Sequence, residues 1–450
     1  MCAIRVDNRD CNNRHETIER VKRGIFNFVA IDDCNSEHDL HENRKLSDAC
    51  EPPQCSTAQR KILVRQQCPH TRHRVTHDHD PRPRRVNLKQ TRPNCHFHFP
   101  LIYMNMVQNL STELSEPHLD RLIEAINQLG GSRVLLTGGT GFVGKWLIET
   151  AKIACDNGAT SFEIVVPTRS LNSKHALETK SIGFKNLSFV EGDILSQTLD
   201  FGSIDSIVHA ATPASATLNE SNPTEMTRIN TQSMQAALKF AKNKIPFLFV
   251  SCGAVYGNQP QSVSHISEMQ DQPYNELTSA YAKGKQLAES MCMQSATVGS
   301  CTPIIARLFT FSGHYLPRDT HFAIGNFIQN VLDRKPIFIN SDGLSRRSYL
   351  YGADMATWLW SSMGLTDIPE HLHIGSEQSI SVLELAQTVA KVSERILNFA
   401  SQISVGKQIT NTNHFHQYVP ETTKTRNLLR TKEWTSLEKS IELMISAALN

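Results

Sequence analysis

An alternation of apolar runs and helical stretches constrains the fold of this 450-residue chain more than any other feature. Short runs rich in Val, Ile, Leu and Phe are separated by segments in which apolar residues recur at helical spacing. The predicted strands are 133–137, 162–167, 187–192, 206–211, 246–251 and 303–309, and the predicted helices begin near 142 and cover 223–241 and 279–293. Strands that are apolar throughout are typical of a parallel sheet covered by helices on both faces. The sequence therefore predicts a doubly wound α/β fold.

The first predicted strand runs directly into TGGTGFVGKW, in which Gly138, Gly141 and Gly144 follow a GxxGxxG spacing. Gly138 allows a tight turn, Gly141 lets the backbone approach a pyrophosphate, and Gly144 lets helix and strand pack closely. The helix that begins with Phe142 and Val143 presents free N–H groups to the phosphates. In this strand, turn and helix context the loop predicts a Rossmann-type dinucleotide site at these five residues.

The end of the second predicted strand bears on the choice between NAD and NADP. An NAD site usually carries Asp or Glu there for the ribose hydroxyls, but this chain has Pro-Thr-Arg-Ser at 167–170. Arg169 can pair with a 2′-phosphate. We therefore expect NADP or NAD as cofactor, with a slight preference for NADP.

Tyr281 and Lys285 stand four residues apart in SAYAKGKQLAES, so they share one face of the predicted helix. An ammonium beside a phenol favours the phenolate, which lowers the Tyr pKa from about 10 toward neutrality. Such a phenol can move a proton to or from a carbinol or carbonyl oxygen, and Lys285 can also hydrogen-bond the nicotinamide ribose. An ordinary exposed helix face is the alternative. The position of the pair in the helix after the fifth strand favours a catalytic and cofactor-binding role for both residues.

Composition limits the classes of partner. Lys and Arg number 46 against 44 Asp and Glu, so no global field favours nucleic acid or a membrane surface. The sequence shows no long apolar window and no secretory signal. We expect a cytoplasmic protein whose later cysteines are reduced thiols.

Residues 1–105 differ in character from the rest of the chain. They are rich in Arg, His, Asn and Cys, with HTRHRVTHDHDPRPRR at 70–85, and have little apolar periodicity. We expect a disordered or non-native N-terminal extension, followed by a Rossmann domain at 106–310 and a substrate domain at 311–450. The Cys and His residues near 68–98 are possible metal ligands, but their spacings match no zinc pattern, so no metal is predicted. Translation from Met104 or Met106 is a further interpretation.

The motifs together resemble the extended short-chain dehydrogenases/reductases of the nucleotide-sugar epimerase/dehydratase family, from about residue 130 onward. The matching segments are TGGTGFVG at 137–144, EGDI at 191–194, HAAT at 209–212, SCGAVYG at 251–257, YAKGK at 281–285 and DGLSRRSYLYGADM at 342–355. The resemblance implies an NAD(P)-dependent enzyme that acts on a nucleotide-diphosphate sugar, with a homodimer as the usual assembly. It also implies that Asp193 and Ile194 lie beside the adenine and that Ala210 and Ala211 line the nicotinamide half.

The same resemblance points to residues for the substrate. Arg347, in the DGxxxRSYLYxxD segment, is the best candidate for the diphosphate, because a planar guanidinium suits phosphate oxygens. Asn326 and His321 are weaker candidates for contacts with the sugar or the nucleotide.

Two departures from the family pattern concern SCGAVYG. Cys252 stands where the family usually has Ser or Thr, and a thiol is a weak donor. Three interpretations follow: Ser251 takes over, Tyr281 is the main residue that holds the sugar, or turnover is slow. Gly and Ala at 253–254 stand where 4,6-dehydratases carry an Asp-Glu pair. We therefore expect an epimerase or a reductase that transfers hydride at a sugar carbon. A 4,6-dehydratase and a catalytically impaired dinucleotide-binding protein are the alternatives.

Overall fold

The computed structural model describes residues 114–449, except 196–198, 213–214, 261, 271–272, 274–276, 278, 321 and 407–416. The predictions for residues 1–105, including those about metal ligands and the start of translation, lie outside these residues. No helix in the described part of the chain combines the length and the apolar character needed to cross a membrane.

Helices and strands alternate through the first two thirds of the described chain. The helices are α1 Glu116–Asn127, α2 Phe142–Asp156, α3 Lys174–Ser181, α4 Ala216–Ser221, α5 Pro223–Leu238, α6 Ala280–Thr297, α7 Ala323–Leu332, α8 Gly352–Ser362, α9 Val382–Leu397, α10 Thr423–Leu429 and α11 Leu437–Leu449. The strands are β1 Arg133–Thr137, β2 Glu163–Thr168, β3 Leu187–Glu191, β4 Ser206–His209, β5 Ile245–Cys252, β6 Cys301–Leu308, β7 Phe311–Ser312, β8 Ile337–Ile339, β9 Arg346–Arg347, β10 Leu350–Tyr351, β11 Leu372–Ile374, β12 Ile380–Ser381, β13 Ile403–Val405 and β14 Gln417–Tyr418. A 3-10 helix, Gly253–Tyr256, follows β5 directly.

Within the described residues, seven strands form one sheet in the order β11-β6-β5-β4-β1-β2-β3. Every pair in it is parallel. The order reverses direction at β1, and β1 and β4 therefore flank the crevice where doubly wound sheets bind ligands. This arrangement confirms the predicted fold class.

Apolar clusters cover both faces of the sheet. Val134 and Leu136 of β1 pack in one cluster with Trp146 of α2. Leu135, between them, packs in the opposite cluster with Ala288 of α6. Successive strand residues point to opposite faces, so a strand buried on both sides must be apolar at every position. This is the physical reason for the continuous apolar runs in the sequence.

Several boundaries differ from the predicted ones. The strand predicted at 206–211 ends at His209, so Ala210 and Ala211 lie in the loop after it. The helix predicted at 279–293 continues to Thr297. A domain boundary at 310 would separate one strand from the sheet. The edge strand β11 comes from residues 372–374, after that boundary, and it pairs with β6.

A second apolar core lies in the later part of the chain. It joins α7, β8, α9 and α11 through Ile328, Ile337, Val389 and Ile441. Helix α9 begins with a capping box, in which Ser381 accepts from the Glu384 N–H and Glu384 accepts from the Ser381 N–H. These elements carry the segment for which substrate contacts are predicted.

Gly144 limits how closely α2 can approach the loop before it. A Cβ at Gly144 would lie 2.4 Å from both Gly138 O and Gly139 Cα, which are backbone atoms that cannot rotate away. We expect Gly144→Ala to lower the free energy of unfolding by about 1–3 kcal/mol, the usual cost of overpacking. Chemical denaturation measures the loss. Gly141→Ala is the control, because its nearest neighbour would lie 3.3 Å away; an equal loss in both variants would contradict this packing argument.

Candidate active site

The carboxyl ends of β1, β4 and β5 lie side by side at one edge of the sheet. Thr137 pairs with His209, and His209 pairs with Phe249. The glycine loop follows β1, the HAAT segment follows β4 and the SCGAVYG segment ends β5. Three motifs that are about 40 to 110 residues apart in the sequence therefore meet at one edge, as expected for a parallel sheet.

The glycine loop packs directly against the HAAT segment. Gly138 has φ +74°, and a Cβ there would lie 2.5 Å from the carbonyl oxygen of Ala210. Helix α2 begins after Gly141 without a side-chain cap, which leaves the first N–H groups of the helix without an intrahelical partner. Space that a Cβ would fill and uncapped N–H groups are what a pyrophosphate requires. The loop, with Phe142 and Val143 at the helix start, could hold a dinucleotide.

The remaining cofactor candidates lie along the same edge. Arg169 is exposed immediately after β2, and Asp193 is exposed beyond the neighbouring β3. Asp193 Oδ1 accepts a hydrogen bond from the Leu195 N–H at 2.9 Å, which fixes the turn. Ile194 is half-buried against the core, and Ala211 is half-buried after β4. The structure thus places all four beyond strand ends, on the side where the loop lies.

Lys285 is enclosed by protein, with a relative exposure of 1%. Its Nζ donates to Thr212 Oγ1 at 2.5 Å and to the Val250 carbonyl oxygen at 2.6 Å. It also lies 4.8 Å from the centre of the Phe249 ring. Burial lowers the pKa of Lys285 to about 8, against the smaller opposing effects of Cys252 and Glu289. The ammonium is therefore held by two oxygens at the end of the sheet.

Tyr281 and Cys252 are in direct contact. The Tyr281 hydroxyl donates a hydrogen bond to the Cys252 sulfur. Cys252 is buried in a cluster with Phe309 and Tyr256, and the half-buried Tyr281 packs against that cluster. Burial raises the pKa of the Cys252 thiol, so the group is neutral near pH 7. Cys252 therefore serves as a hydrogen-bond partner of the Tyr281 phenol.

The predicted lowering of the Tyr281 pKa is wrong for this structure. Burial raises that pKa well above its ordinary value, and Cys252 and Tyr418 add to the effect. Lys285 Nζ lies 5.8 Å from the centre of the Tyr281 ring and donates to Thr212 and Val250 instead. Desolvation of the phenolate thus outweighs the attraction of the ammonium.

Ser251 does not join the Tyr281 and Cys252 contact. Its hydroxyl donates to Glu289 Oε1, and the side chain is 2% exposed. Adjacent residues of a strand point to opposite faces, so Ser251 and Cys252 cannot both face Tyr281. The expectation that Ser251 replaces the missing hydroxyl donor is contradicted by this geometry.

The small residue after Cys252 is required by packing. A Cβ at Gly253 would lie 2.5 Å from the Phe309 ring. Side chains larger than hydrogen therefore have no room at 253 unless Phe309 moves. This packing accounts for glycine at 253, one of the two positions where the resemblance places the acid-base pair of 4,6-dehydratases.

Arg347 is connected to the site by Tyr418, which lies on the neighbouring strand β14. It pairs with Tyr418 between β9 and β14, and its guanidinium lies 5.8 Å from the centre of the Tyr418 ring. The Gly253 N–H donates to the Tyr418 hydroxyl, and Tyr418 packs in the cluster around Cys252. Asn326 is half-buried on α7, and no contact in the described residues connects it to this cluster. His321 lies outside the described residues.

Sequence reasoning missed Thr212 and Tyr418. Thr212 ends the HAAT segment, and its hydroxyl accepts from Lys285, so a polar residue at the end of a predicted strand was an available signal. Tyr418 lies in β14, a strand of two residues with no preceding motif, and nothing in its sequence surroundings indicated a role. Among the residues that the structure describes, no cluster of His, Cys, Asp or Glu side chains could hold a metal ion.

Curated proteins that are similar to this chain include UDP-glucuronic acid decarboxylases. The chain is 25% identical over 322 residues to UDP-glucuronic acid decarboxylase 2 of Arabidopsis thaliana, which covers 70% of this chain and 68% of that protein. It is 26% identical to UDP-glucuronic acid decarboxylase 5 of the same plant, over 69% of this chain and 88% of that protein.

Solved structures share the fold at lower identity. UDP-glucose 4-epimerase of Thermotoga maritima matches with a TM-score of 0.58 and 19% identity, over 70% of this chain and 98% of that one. UDP-glucuronic acid 4-epimerase of Bacillus cereus matches with a TM-score of 0.57 and 22% identity, over 70% of this chain and 98% of that one.

The sequence model of the NAD dependent epimerase/dehydratase family matches residues 134–375. This range runs from β1 to the edge strand β11, so it spans the whole parallel sheet and the site at its carboxyl edge. The match covers more than half of the chain and confirms the predicted resemblance. The chain belongs to the NAD dependent epimerase/dehydratase family.

Proposed function

We propose that this chain transfers hydride between NAD and a sugar carbon of a nucleotide-diphosphate sugar, and that Tyr281 moves the hydroxyl proton. The observation that carries the proposal is the contact of Tyr281 with Cys252, beside the buried Lys285, at the edge where the glycine loop lies. A phenol in that place can exchange a proton with a sugar oxygen.

The chain's own residues supply binding and proton transfer. Gly138, Gly141 and Gly144 with the α2 terminus would hold the pyrophosphate. When bound, NAD accepts and returns a hydride. The raised pKa keeps Tyr281 protonated near pH 7, which suits proton donation to a carbonyl oxygen. Removing the proton of a sugar hydroxyl requires the phenolate, so this half of the reaction is expected to limit the rate. Cys252 holds the phenol in place.

The site favours chemistry that needs no second acid-base pair. Gly253 and Ala254 carry no group that can donate or accept a proton, so water elimination has no proton carriers there. Epimerisation requires only oxidation, rotation of the keto sugar and reduction from the other face, whereas a reductase would take reduced cofactor from solution. We propose the epimerase as the first candidate.

A second candidate follows from the relatives. Curated relatives of this chain include UDP-glucuronic acid decarboxylases, at 25–26% identity. Oxidation at the carbon next but one to a carboxyl carbon gives a β-keto acid, which loses CO2 without a further general base. The absence of an acid-base pair at 253–254 is compatible with this reaction. Arg347, beside Tyr418, is proposed to bind the diphosphate in either case, and Asn326 and His321 remain weaker proposals.

The homodimer implied by the resemblance stays a prediction. Leu287 and Met293 of α6 are 49% and 41% exposed. Exposed apolar side chains on one helix are surface that a second copy of the chain would cover.

The cofactor preference depends on Arg169. The family model describes NAD dependent enzymes, whereas Arg169 favours a 2′-phosphate. If Arg169 pairs with that phosphate, Arg169→Ala weakens NADP binding by about tenfold or more, because a charge-assisted hydrogen bond is lost, and leaves NAD binding unchanged. Titration of both cofactors gives the dissociation constants. An unchanged ratio of the two constants would show that Arg169 plays no part in the preference.

The pKa of Lys285 predicts the alkaline side of the pH profile. Because this pKa is about 8, the ammonium is lost as the pH rises through that value, and kcat/KM should fall there. Lys285→Arg, whose guanidinium stays charged above pH 12, should lack this fall. Cys252→Ser, which keeps Lys285, should retain it. Steady-state rates between pH 6 and 10 provide the measurement; the same fall in Lys285→Arg would refute the assignment.

UDP-glucuronic acid is the substrate that separates the two candidates. We expect purified protein with NAD to convert it either to its 4-epimer or to a pentose product with release of CO2, which mass spectrometry distinguishes. Tyr281→Phe should reduce turnover by about a hundredfold or more, as expected on removing a general acid-base group, with NAD affinity near wild type. Turnover of no nucleotide sugar in a panel, with intact NAD binding, would favour the impaired binding protein instead.

A further inference from the structure

A buried chain of hydrogen bonds lies behind the Tyr281 and Cys252 contact. Arg307 of β6 donates from Nε to Glu289 Oε1 at 3.1 Å and from Nη2 to Glu289 Oε2 at 2.7 Å. Its third nitrogen, Nη1, donates to the Tyr256 hydroxyl at 2.7 Å. Ser251 donates to the Oε1 of the same carboxylate. Glu289 and Arg307 are 7% and 8% exposed, so the ion pair is enclosed by protein.

At its other end, the network of hydrogen bonds continues from Tyr256 to His373 and ends at a backbone carbonyl. Tyr256 lies 2.6 Å from His373 Nε2, and His373 Nδ1 lies 2.8 Å from the Glu421 carbonyl oxygen. Burial lowers the pKa of His373 to about 3, so the ring is neutral. The carbonyl can only accept, so the His373 proton is on Nδ1, and Nε2 accepts from the Tyr256 hydroxyl. The network therefore extends from β5 to the loop before α10.

The hydrogen-bonded residues belong to the same two segments that carry Cys252 and Tyr281. Ser251 and Tyr256 flank Cys252, one directly before it and the other at the end of the 3-10 helix after it. Glu289 lies one helical turn after Lys285 and two turns after Tyr281 on α6. One carboxylate thus joins the segment that carries Cys252 to the helix that carries Tyr281.

We propose that Glu289 and Arg307 are positioning residues, whose buried fork holds the Cys252 segment and helix α6 in the relation that keeps Cys252 against Tyr281. A bidentate guanidinium and carboxylate pair allows little sliding between the elements it joins. Loss of one partner leaves the other charge buried and unpaired. Neither residue touches the proposed sugar site, so both act through Cys252 and Tyr281. The proposal deepens the proposed function and rests on it only where turnover is measured.

Glu289→Gln tests the proposal, because glutamine keeps the shape but loses the second acceptor of the fork. The reactivity of Cys252 towards iodoacetamide, read for each cysteine by peptide mass spectrometry, needs neither substrate nor turnover. We expect Cys252 to be alkylated at least about tenfold faster than in wild type, as loss of charge-assisted hydrogen bonds opens the segment. Cys301, which is buried at the start of β6, should keep its wild-type rate. Cys292 is not a control, because Glu289 contributes to the raised pKa of its thiol.

Glu268→Gln is the matched control. Glu268 is also 7% exposed, and it accepts from the N–H groups of Lys424 and Thr425 rather than from the segment that carries Cys252. Its variant should leave the Cys252 rate unchanged. Where turnover is found, Glu289→Gln should lower kcat with an NAD dissociation constant near that of wild type.

The proposal is overturned if Cys252 reacts at the wild-type rate in Glu289→Gln. It is also overturned if Cys301 accelerates equally, because the pair would then serve only the stability of the whole fold. Glu289→Gln also removes a charge that raises the pKa of Cys252, so a second variant is required. Tyr256→Phe removes only the uncharged hydroxyl to which Arg307 donates, and the same selective acceleration of Cys252 is expected there, also where Glu289→Gln fails to fold. Failure of every nucleotide sugar to turn over would leave the alkylation result intact.

Discussion

The apolar cover on both faces of the parallel sheet determines where chemistry can occur in this protein. Helices α2 and α8 bury one face and α5 and α6 bury the other. A charged or polar side chain on either face would lie in a medium where an unpaired charge is costly. The strand ends escape this constraint, because the chain turns there and backbone groups become available as partners. The glycine loop, the HAAT segment and the SCGAVYG segment all lie at that edge.

Burial also determines the protonation states at the edge. Burial lowers the pKa of Lys285 to about 8, against the smaller opposing effects of Cys252 and Glu289, so the ammonium that donates to Thr212 and the Val250 carbonyl is kept near pH 7. The Tyr281 phenol and the Cys252 thiol lie close to the same core, and burial raises both pKa values. Near pH 7 the phenol and the thiol are therefore neutral, and the Lys285 ammonium is the one charged group of the three. A bound nucleotide sugar would therefore meet a protonated phenol at Tyr281.

The unusual SCGAVYG segment is consistent with its surroundings. The thiol of Cys252 accepts from Tyr281, Ser251 is engaged by Glu289, and Gly253 leaves room for Phe309. Each departure from the family pattern thus has a packing or hydrogen-bonding partner. The ion pair of Glu289 and Arg307 connects this segment with α6, because Glu289 accepts from Ser251 and Arg307 donates to Tyr256.

Local patterns were sufficient to predict the fold class, the glycine loop and the spacing of Tyr281 and Lys285, because these depend on periodicity and short spacing. The apolar strands, the GxxGxxG turn and an i, i+4 pair can each be recognised within about ten residues. Contacts between distant segments were needed to establish that Ser251 turns away from Tyr281, that Tyr418 joins the site from more than 130 residues away, and that β11 completes the sheet. The tertiary structure also reversed the expected pKa shift of Tyr281. Burial and side-chain direction arise from contacts between distant segments, so no local pattern in the sequence carries them.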